Sequence, residues 1–373
     1  MHSDLKSPRL SWFDEISGPM LIAGPCSVET EDQWIEISRA LAATGRVHLM
    51  RGGIWKPRTR PGAFEGVGEQ GLAWMQRAAV EFGLPYMTEV ANADHVESAL
   101  KAGVSAIWIG ARTTVNPFSV QEIAEALQGV RIPVFVKNPV NPDLSLWIGA
   151  LERFRRVGIE QLAAIHRGFS YFGESIYRNR PMWEIPIALK AQWPDLPIVC
   201  DPSHIGGKPE LLQAIAQKAL DLNMNGLMLE THPNPAVALS DAAQQIRPGE
   251  WMQLIGALTV RNESSTHPEF LSELAMLRSR MDRMDEQLMK LLGERFDASA
   301  ELGEYKKTHD VTILQLERWN EILQTRSEWG RELGMSDEFV QRFLELLHKE
   351  SIRRQTAVMN PAKPSSGHKK TEN

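Results

Sequence analysis

Eight short apolar runs between residues 20 and 229 constrain the fold of this sequence most. They cover residues 20–24, 47–51, 85–90, 106–110, 133–137, 162–165, 197–200 and 226–229. Segments with helical periodicity separate them, such as 30–43, 67–82, 93–102, 119–128, 146–157 and 209–222. Apolar strands that alternate with helices indicate a parallel sheet. Eight such units predict an α/β fold, a closed (β/α)8 barrel; an open doubly wound sheet is the alternative.

Composition sets the broad class. A chain of 373 residues predicts two domains, and 43% hydrophobic with 24% charged residues is typical of a soluble globular protein. A net charge of −6 argues against broad nucleic-acid binding. Two cysteines give no disulfide framework, and we identify neither a signal peptide nor a run long enough to cross a bilayer. These features favour a cytoplasmic protein without a membrane partner.

Each apolar run is followed by polar residues. In a (β/α)8 barrel the carboxyl ends of all strands meet at one mouth, where the chemistry gathers. Cys26, His204 and Glu230 follow the first, seventh and eighth runs, which are neighbours in a closed barrel, and Asp241 lies in the next loop. A thiol, an imidazole and two carboxylates at one rim predict a site for a divalent transition metal. Taken singly, each is more often an ordinary core or hydrogen-bonding residue; their convergence favours the metal site.

A second group at the predicted mouth is cationic. The stretch Arg51-Gly-Gly-Ile-Trp-Lys-Pro-Arg-Thr59 stops a strand at two glycines and then presents cations and a hydroxyl, which is typical of a phosphate cradle. A solvated basic loop is the alternative. Further cations follow other runs, so that the set is Arg51, Lys56, Arg112, Lys137 and Arg167. A metal that polarises a carbonyl, beside cations that hold an anionic partner, predicts an aldol-like condensation between an enol donor and an aldehyde.

Six motifs carry a resemblance to a known family. They are Gly24-Pro-Cys-Ser27, the 51–59 stretch, Gly110-Ala-Arg112, His166-Arg-Gly168, Asp201-Pro-Ser-His204 and Glu230-Thr-His232. In this order, over about residues 18–260, they resemble 3-deoxy-D-arabino-heptulosonate 7-phosphate synthase in its short type I form. The resemblance implies condensation of phosphoenolpyruvate with erythrose 4-phosphate in the shikimate pathway. An octulosonate-phosphate synthase is the alternative within barrels of this kind.

The resemblance also implies roles for single residues. Cys26, His204, Glu230 and Asp241 would bind the metal, commonly Mn²⁺. Phosphoenolpyruvate would be held by Arg51, Lys56, Arg112, Lys137 and Arg167, with His166 of the same motif as a further substrate-binding candidate. Lys56, Arg58 and Thr59 would meet the aldehyde substrate. Lys56 is our candidate for protonating the carbonyl oxygen during attack.

The pattern changes after residue 260. We predict a barrel domain over 1–261, a polar linker over 262–269, an all-helical domain over 270–359 and a disordered tail over 360–373. Apolar residues at three/four spacing predict a long helix from Phe270 to about Lys307, a second over 314–333 and a third that ends near Met359.

The helical segment resembles the all-helical chorismate mutase. The residues that carry this resemblance are Arg278, Met281, Asp285, Arg295, Lys306, Glu317, Ser351 and Gln355. Arg278 precedes Arg295 by seventeen positions, about 25 Å along a helix, so a shared small ligand requires Arg278 from a partner chain. By resemblance, Arg278, Arg295 and Lys306 bind the carboxylates and ether oxygen of chorismate. Glu317 meets the ring hydroxyl, Gln355 meets the ether oxygen, and Ser351 is a further substrate-binding candidate. The sequence departs from the family at Ile313 and Leu316, where an acidic residue and an arginine are frequent.

Together these resemblances imply a bifunctional enzyme that is a homodimer through its helical domain. A late pathway product that binds the helical domain would inhibit the barrel by an allosteric effect. The alternative is a synthase whose helical domain is a non-catalytic regulatory or dimerisation module.

Overall fold

The apolar runs form eight strands in the computed structural model, which describes residues 8–56, 62 and 64–360. The strands are β1 (Met20–Gly24), β2 (Leu49–Arg51), β3 (Tyr86–Val90), β4 (Ala106–Ile109), β5 (Val134–Lys137), β6 (Leu162–His166), β7 (Ile198–Cys200) and β8 (Gly226–Glu230). Each strand pairs in parallel with the next, and β8 pairs with β1 from Met20↔Gly226 to Gly24↔Glu230. The predicted closed barrel is confirmed, which excludes the open sheet.

Helices connect the strands. They are α1 (Glu31–Ala42), α2 (Gln70–Phe82), α3 (Ala93–Lys101), α4 (Ala111–Thr114), α5 (Pro117–Ala126), α6 (Leu144–Arg156), α7 (Glu184–Gln192), α8 (Pro202–Gly206), α9 (Leu212–Asp221) and α10 (Pro248–Gly256). Several begin at side-chain caps, such as Thr30 before α1 and Asn92 before α3, whose oxygens accept hydrogen bonds from the first turn. The six helices that periodicity predicts lie within a few residues of their expected positions.

The strands separate two apolar layers, because successive side chains of a strand point to opposite faces. The outer layer fills the space between strands and helices and includes Trp34, Trp147 and Trp251. The inner layer fills the barrel interior, with members such as Trp108 and Phe135. Interior side chains at the carboxyl ends therefore line the mouth, while the layers beneath hold them in place.

The chain before β1 covers the opposite end of the barrel interior. Leu10 is buried within the inner layer, and Trp12, Phe13 and Ile16 pack against that layer. The ring of Trp12 meets the ring of Phe135 edge-on, with 5.7 Å between centroids. This apolar plug leaves the carboxyl-end mouth as the polar opening of the interior.

The chain divides into two compact units, Met1–Glu263 and Ser264–Asn373. The second unit contains α11 (Pro268–Thr308), α12 (Leu316–Glu332) and α13 (Asp337–Met359), which agree with the predicted helices. Helix α11 begins at Pro268, inside the predicted linker. Proline is tolerated there because the first-turn N–H groups of a helix have no intrahelical acceptor. The predicted disordered tail lies outside the described residues, apart from residue 360.

No helix among the described residues combines the length and the apolarity that a bilayer crossing requires.

Candidate active site

Charged side chains occupy interior positions at the mouth of the barrel. Arg51, Lys137 and Glu230 are the last residues of β2, β5 and β8, and each is at most 5% exposed. By strand alternation they share the inner face with the inner apolar layer. Arg51 Nη2 lies 2.9 Å from Glu230 Oε1, so the cationic and acidic groups that the sequence predicts at one opening are in direct contact.

The predicted metal ligands come together at this mouth. Ligand atoms of Cys26, Glu230 and Asp241 all lie within 4.8 Å of one another, and this trio could hold a metal ion. His204, on α8, adds its Nε2 at 3.8 Å from Glu230 Oε1 and 3.9 Å from Asp241 Oδ2. Asp241 adopts a left-handed backbone conformation, with φ of 48°, in the loop after β8. This loop places its carboxylate beside Cys26 and Glu230. The four residues derive from the ends of β1, β7 and β8, as the barrel topology requires.

The electrostatics of the trio suit a bound cation. Burial and the charge of Glu230 raise the pKa of the Cys26 thiol to about 12 against the opposing charge of Lys56, so that the thiol is protonated in the absence of a metal ion. A divalent cation reverses this effect, because a coordinated thiol loses its proton. Glu230 Oε1 is buried and accepts no hydrogen bond among the described residues, although Arg51 approaches it as an ion pair. A buried carboxylate oxygen that accepts no hydrogen bond, beside a thiol and an imidazole, fits a set of metal ligands.

Asp201 links the metal group with the cations, a role that our reading of the sequence did not assign. It caps α8 by accepting a hydrogen bond from the His204 backbone N–H. Its Oδ2 lies 2.8 Å from His204 Nδ1 and 3.0 Å from Lys137 Nζ. The charges of His204 and Lys137 overcome the effect of burial and lower the pKa of Asp201 well below its usual range. Its place in the Asp201-Pro-Ser-His204 motif is the signal that could have identified it.

Trp108 forms an aromatic floor beneath two of the cations. The Arg51 guanidinium carbon lies 5.1 Å and Lys137 Nζ 5.9 Å from the ring centroid, both within cation–π range. The indole N–H donates to Glu89 Oε2 at 3.2 Å. Burial lowers the pKa of Lys137, and the negative charge of Asp201 opposes this effect. Trp108 therefore orients the positive charges of Arg51 and Lys137 toward the opening. Strand patterning alone did not predict these two cation–π contacts.

Arg167 is held by two asparagines that the sequence analysis also missed. Its backbone N–H donates to Asn138 Oδ1, and its Nη1 donates to Asn179 Oδ1, both at 2.7 Å. Burial lowers the pKa of Arg167 to about 10, and the charges of Arg178 and Arg112 contribute to this effect. Arg112, an exposed residue of α4, thus belongs to the same positive field as Arg167.

Lys56 reaches the metal group from the loop after β2. Its Nζ lies 3.6 Å from Cys26 Sγ. A Cβ on Gly53 would lie 2.1 Å from Lys56 Nζ and 2.9 Å from the Cys26 carbonyl oxygen, so only glycine leaves room for this approach. Arg58 and Thr59, the other predicted contacts to the aldehyde substrate, lie outside the described residues.

His166 occupies a different environment from the cations. It is fully buried, and its ring packs against Trp183 at 5.1 Å and Phe169 at 5.8 Å between centroids. Its position in β6 has the parity of Leu162 and Ala164, which belong to the outer layer. Burial and the adjacent Arg167 charge lower the pKa of His166 to about 3, which leaves the imidazole neutral. The structure thus does not bring its ring to the mouth, and its predicted contact with substrate stays a prediction.

The helical unit holds a separate polar cluster between α11 and α13. Arg295 Nη1 donates to Ser351 Oγ at 2.9 Å, and Ser299 Oγ lies 3.2 Å from the same hydroxyl. Gln355 is buried, and its Oε1 has no hydrogen-bond partner among the described residues. Lys306 is also buried and donates to the Ile313 carbonyl oxygen at 2.6 Å. Four of the predicted ligand contacts, Arg295, Lys306, Ser351 and Gln355, therefore line this helical pair.

Arg278 and Glu317 are not part of that cluster. Both side chains are exposed, and within the described chain neither makes a hydrogen bond or ion pair. Arg278 lies in the amino-terminal half of α11, seventeen residues before Arg295, or about 25 Å at 1.5 Å per residue. A single chain thus does not bring Arg278 to the same small ligand as Arg295.

The model of the DAHP synthetase I family matches residues 17–264, which include the whole barrel. The chain belongs to this family. DAHP denotes 3-deoxy-D-arabino-heptulosonate 7-phosphate. A second family model, chorismate mutase type II, matches residues 277–356 of the helical unit. The chain thus contains a DAHP synthase domain and a chorismate mutase domain, and both resemblances drawn from the sequence are confirmed.

Known relatives of the DAHP synthetase family agree with the barrel. A phospho-2-dehydro-3-deoxyheptonate aldolase of Thermotoga maritima is 32% identical over 226 residues, which are 61% of this chain and 64% of the relative. A 2-dehydro-3-deoxyphosphooctonate aldolase of Acidithiobacillus ferrooxidans is 29% identical over 240 residues, covering 59% of this chain and 81% of the relative. The chain therefore spans less than two thirds of the Thermotoga relative's length.

Solved DAHP synthase structures have a similar fold. The crystal structure of the Thermotoga maritima DAHP synthase covers 64% of this chain and 67% of its own, with a TM-score of 0.58 and 29% identity. A truncated form of the Thermotoga enzyme covers 64% of this chain and 84% of its own, with a TM-score of 0.56 and 27% identity.

Proposed function

We propose that the barrel condenses phosphoenolpyruvate with erythrose 4-phosphate to give DAHP and inorganic phosphate. The observation that carries this proposal is the contact between the two groups at one mouth, where Arg51 meets Glu230 at 2.9 Å and Lys56 meets Cys26 at 3.6 Å. Cations suited to a phosphate and a carboxylate thus lie directly beside ligands suited to a Lewis acid.

The metal proposal rests on the donor set. Cys26, His204, Glu230 and Asp241 would hold a divalent cation, for which Mn²⁺ is the first candidate. The cation would supply Lewis acidity toward the aldehyde oxygen and so favour attack at the adjacent carbon. Asp201 fixes the orientation of His204 through Nδ1, which leaves Nε2 for the metal.

The cations of the chain itself would bind and orient the enol donor. Lys137, 3.0 Å from Asp201, and Arg167, whose pKa the Asp201 charge raises against burial, suit the phosphate and carboxylate of phosphoenolpyruvate. Lys56 lies next to the metal group, where its ammonium can give a proton to the aldehyde oxygen as the new carbon–carbon bond forms. Water then adds at the former enol carbon, and the carbon–oxygen bond to phosphate breaks.

Phosphate release by the full chain tests the synthase proposal. Erythrose 4-phosphate should support release in the presence of Mn²⁺, a chelator should abolish it, and added metal should restore it. Arabinose 5-phosphate should be a poor acceptor; a preference for it would instead favour the octulosonate-type reaction of some relatives. Lys56→Ala should lose synthase activity while Lys208→Ala, a surface control, should retain it. Full activity after complete metal removal would refute the metal proposal.

The helical unit would convert chorismate to prephenate. This rearrangement needs no nucleophile, so catalysis depends on fixed charges that oppose the charge separation of the transition state. Arg295 and Lys306 supply positive charge, while Ser351 and the unpartnered Oε1 of Gln355 supply polar contacts. Glu317, at the start of α12, would contact the ring hydroxyl.

A second copy of the chain would complete this site. An apolar stripe with heptad spacing runs from the amino-terminal half of α11 past its middle and is formed by Leu277, Met281, Met284, Leu288 and Leu291. These side chains are 45–63% exposed in the single chain. Such a stripe on a 41-residue helix suits pairing with the same stripe of a partner, which would carry Arg278 to the partner's site.

Mixing variants tests both the mutase and the dimer. Arg278→Ala and Arg295→Ala should each abolish prephenate formation and leave phosphate release intact. After the two variants are unfolded together and refolded, activity should return to about a quarter of the wild-type value, because half of random dimers carry one intact site of two. Absence of prephenate formation in the wild-type dimer would favour the alternative, a non-catalytic regulatory or dimerisation module.

Joining an early and a late step in one chain motivates a regulatory proposal. Prephenate bound to the helical unit would inhibit the barrel by feedback. Unchanged phosphate release at saturating prephenate would refute this idea.

The free, buried Cys26 and Cys200 and the biosynthetic role suit a cytoplasmic location.

A further inference from the structure

One face of α13 carries a residue that the proposed mutase chemistry does not yet use. His348, Ser351 and Gln355 follow one another at spacings of three and four, so their side chains lie on the same side of the helix. Ser351 contacts Arg295, and Gln355 is buried beside Gly303 of α11. His348 therefore lies one turn before the two α13 residues of the proposed ligand cluster.

The imidazole of His348 is held in a defined orientation. It is half-buried and stacks on Trp319 of α12, with 3.9 Å between ring centroids and 22° between planes. The ring thus closes the cluster on the α12 side, opposite the α11 side that Arg295 and Lys306 supply.

Within the described residues, the charges that act on His348 are those of Arg295 and Lys306, and both are positive. Partial burial and the charges of Arg295 and Lys306 lower the pKa of His348, so the free imidazole is neutral at pH 7. From α12, Trp319 contributes no charge, whereas Arg326 adds a positive charge that acts on Arg295. Within the described chain neither Arg295 nor Lys306 forms an ion pair with a carboxylate. Cations without a counter-ion, beside a fixed imidazole, define a receptor for an anion.

Ile313 and Leu316 occupy positions where an acidic residue and an arginine are frequent in the chorismate mutase family, so polar groups elsewhere in the cluster carry more of the ligand binding. Ile313 lies just before α12 and Leu316 begins it, so these two positions offer no titratable donor, whereas His348 of α13 is a titratable group beside the cluster. We propose that His348 is a specificity-determining residue of the helical site, whose ring donates a hydrogen bond to a carboxylate of the bound dianion. This inference rests on the proposed mutase function.

A dianion that neutralises the two cations favours protonation of the imidazole. Its pKa therefore rises on binding, and the ligand binds more tightly as the pH falls from 8 to 6. A hydrogen bond between charged partners changes affinity by about tenfold or more. Chorismate itself, a dicarboxylate, is the probe for this effect.

Isothermal calorimetry of chorismate binding to the full chain measures the proton uptake that accompanies binding. The titration is repeated in two buffers with different ionisation enthalpies, and the difference in heat gives the number of protons taken up. Wild type should take up a fraction of a proton near pH 7. His348→Gln and His348→Ala should abolish this uptake and weaken binding about tenfold at pH 6, with a smaller loss at pH 8. His309→Gln is the matched control, because His309 is exposed and, within the part of the chain that the structure describes, its ring contacts Tyr305 and Thr308 at the end of its own helix.

The outcomes separate this inference from the proposed function. Unchanged proton uptake in both His348 variants, with normal prephenate formation in wild type, overturns only the inference. Binding with the expected proton uptake but without prephenate formation supports the inference and refutes the mutase proposal. Absence of chorismate binding by the wild-type chain refutes both.

Discussion

The Asp201→Asn substitution removes one negative charge from the centre of the barrel mouth. Asp201 is fully buried, and its carboxylate lies 3.0 Å from the Lys137 ammonium and 2.8 Å from His204 Nδ1. Asparagine retains the volume and the oxygen that caps α8, so the change tests the charge rather than the packing.

The expected loss of stability can be bounded. Removing one partner of a buried ion pair costs about 3–5 kcal/mol, because the other charge is left uncompensated. The part of this loss that comes from Lys137 has an upper limit of about 4 kcal/mol at pH 7.5, since Lys137 can instead release its proton from an ordinary pKa of about 10.4. Arg51, whose Nη1 lies 3.9 Å from Asp201 Oδ2, keeps Glu230 as a counter-charge in the variant. Urea unfolding of the metal-free barrel should therefore show a loss of about 3–4 kcal/mol.

The pH dependence of this stability loss shows whether the uncompensated charge of Lys137 causes it. Burial already lowers the folded-state pKa of Lys137 in wild type, and removal of the Asp201 charge lowers it further in the variant. The unfolded chain therefore binds one more proton than the folded variant over a wider pH window than in wild type. The variant's stability then rises with pH in that window, by up to about 1.4 kcal/mol per unit, and its deficit relative to wild type narrows between pH 7.5 and 9.5. Asp221→Asn is the control: its exposed pair with Arg261 should contribute less than about 1 kcal/mol at any pH.

Metal affinity provides a second measurement on the same variant. The loss of the carboxylate that orients His204 should weaken Mn²⁺ binding about 10–100-fold in competition with a chelator. A stability loss below about 1 kcal/mol together with an unchanged metal Kd would refute the view that Asp201 connects the cationic group to the metal group.

Three further substitutions probe close contacts. Gly53→Ala should lower synthase kcat by about 100-fold without affecting prephenate formation, because the new methyl group would displace Lys56; equal losses in both assays would contradict this. Gly303→Ala would place a Cβ 3.0 Å from the Gln355 Cα, so the thermal transition of the helical unit should weaken by about 1–3 kcal/mol while that of the barrel stays fixed. Trp108→Phe weakens the cation–π floor and should raise the KM for phosphoenolpyruvate roughly threefold; an unchanged KM would exclude this contribution.

The sequence by itself determined the barrel and the inventory of its mouth. Continuous apolar runs such as that of β8 are buried on both faces, and parallel strands place the residues after them at the same end. Glu230 and Arg51 could therefore be assigned to one opening before any coordinates were known, although 179 positions separate them along the chain. The long helix was likewise evident, because its apolar spacing continues without an interior proline.

Only the tertiary structure decided which side chains act on one another. Asp201 contacts Lys137 across 64 positions of sequence, and no local pattern encodes that contact. His166 shares a motif with Arg167, yet the His166 ring packs against Trp183 and Phe169, whereas the Arg167 guanidinium is held by Asn179. His348 stacks on Trp319 because two helices cross there. Periodicity fixes the face on which a residue lies, whereas its partner depends on how separate elements pack, and the chemistry of both sites depends on those partners.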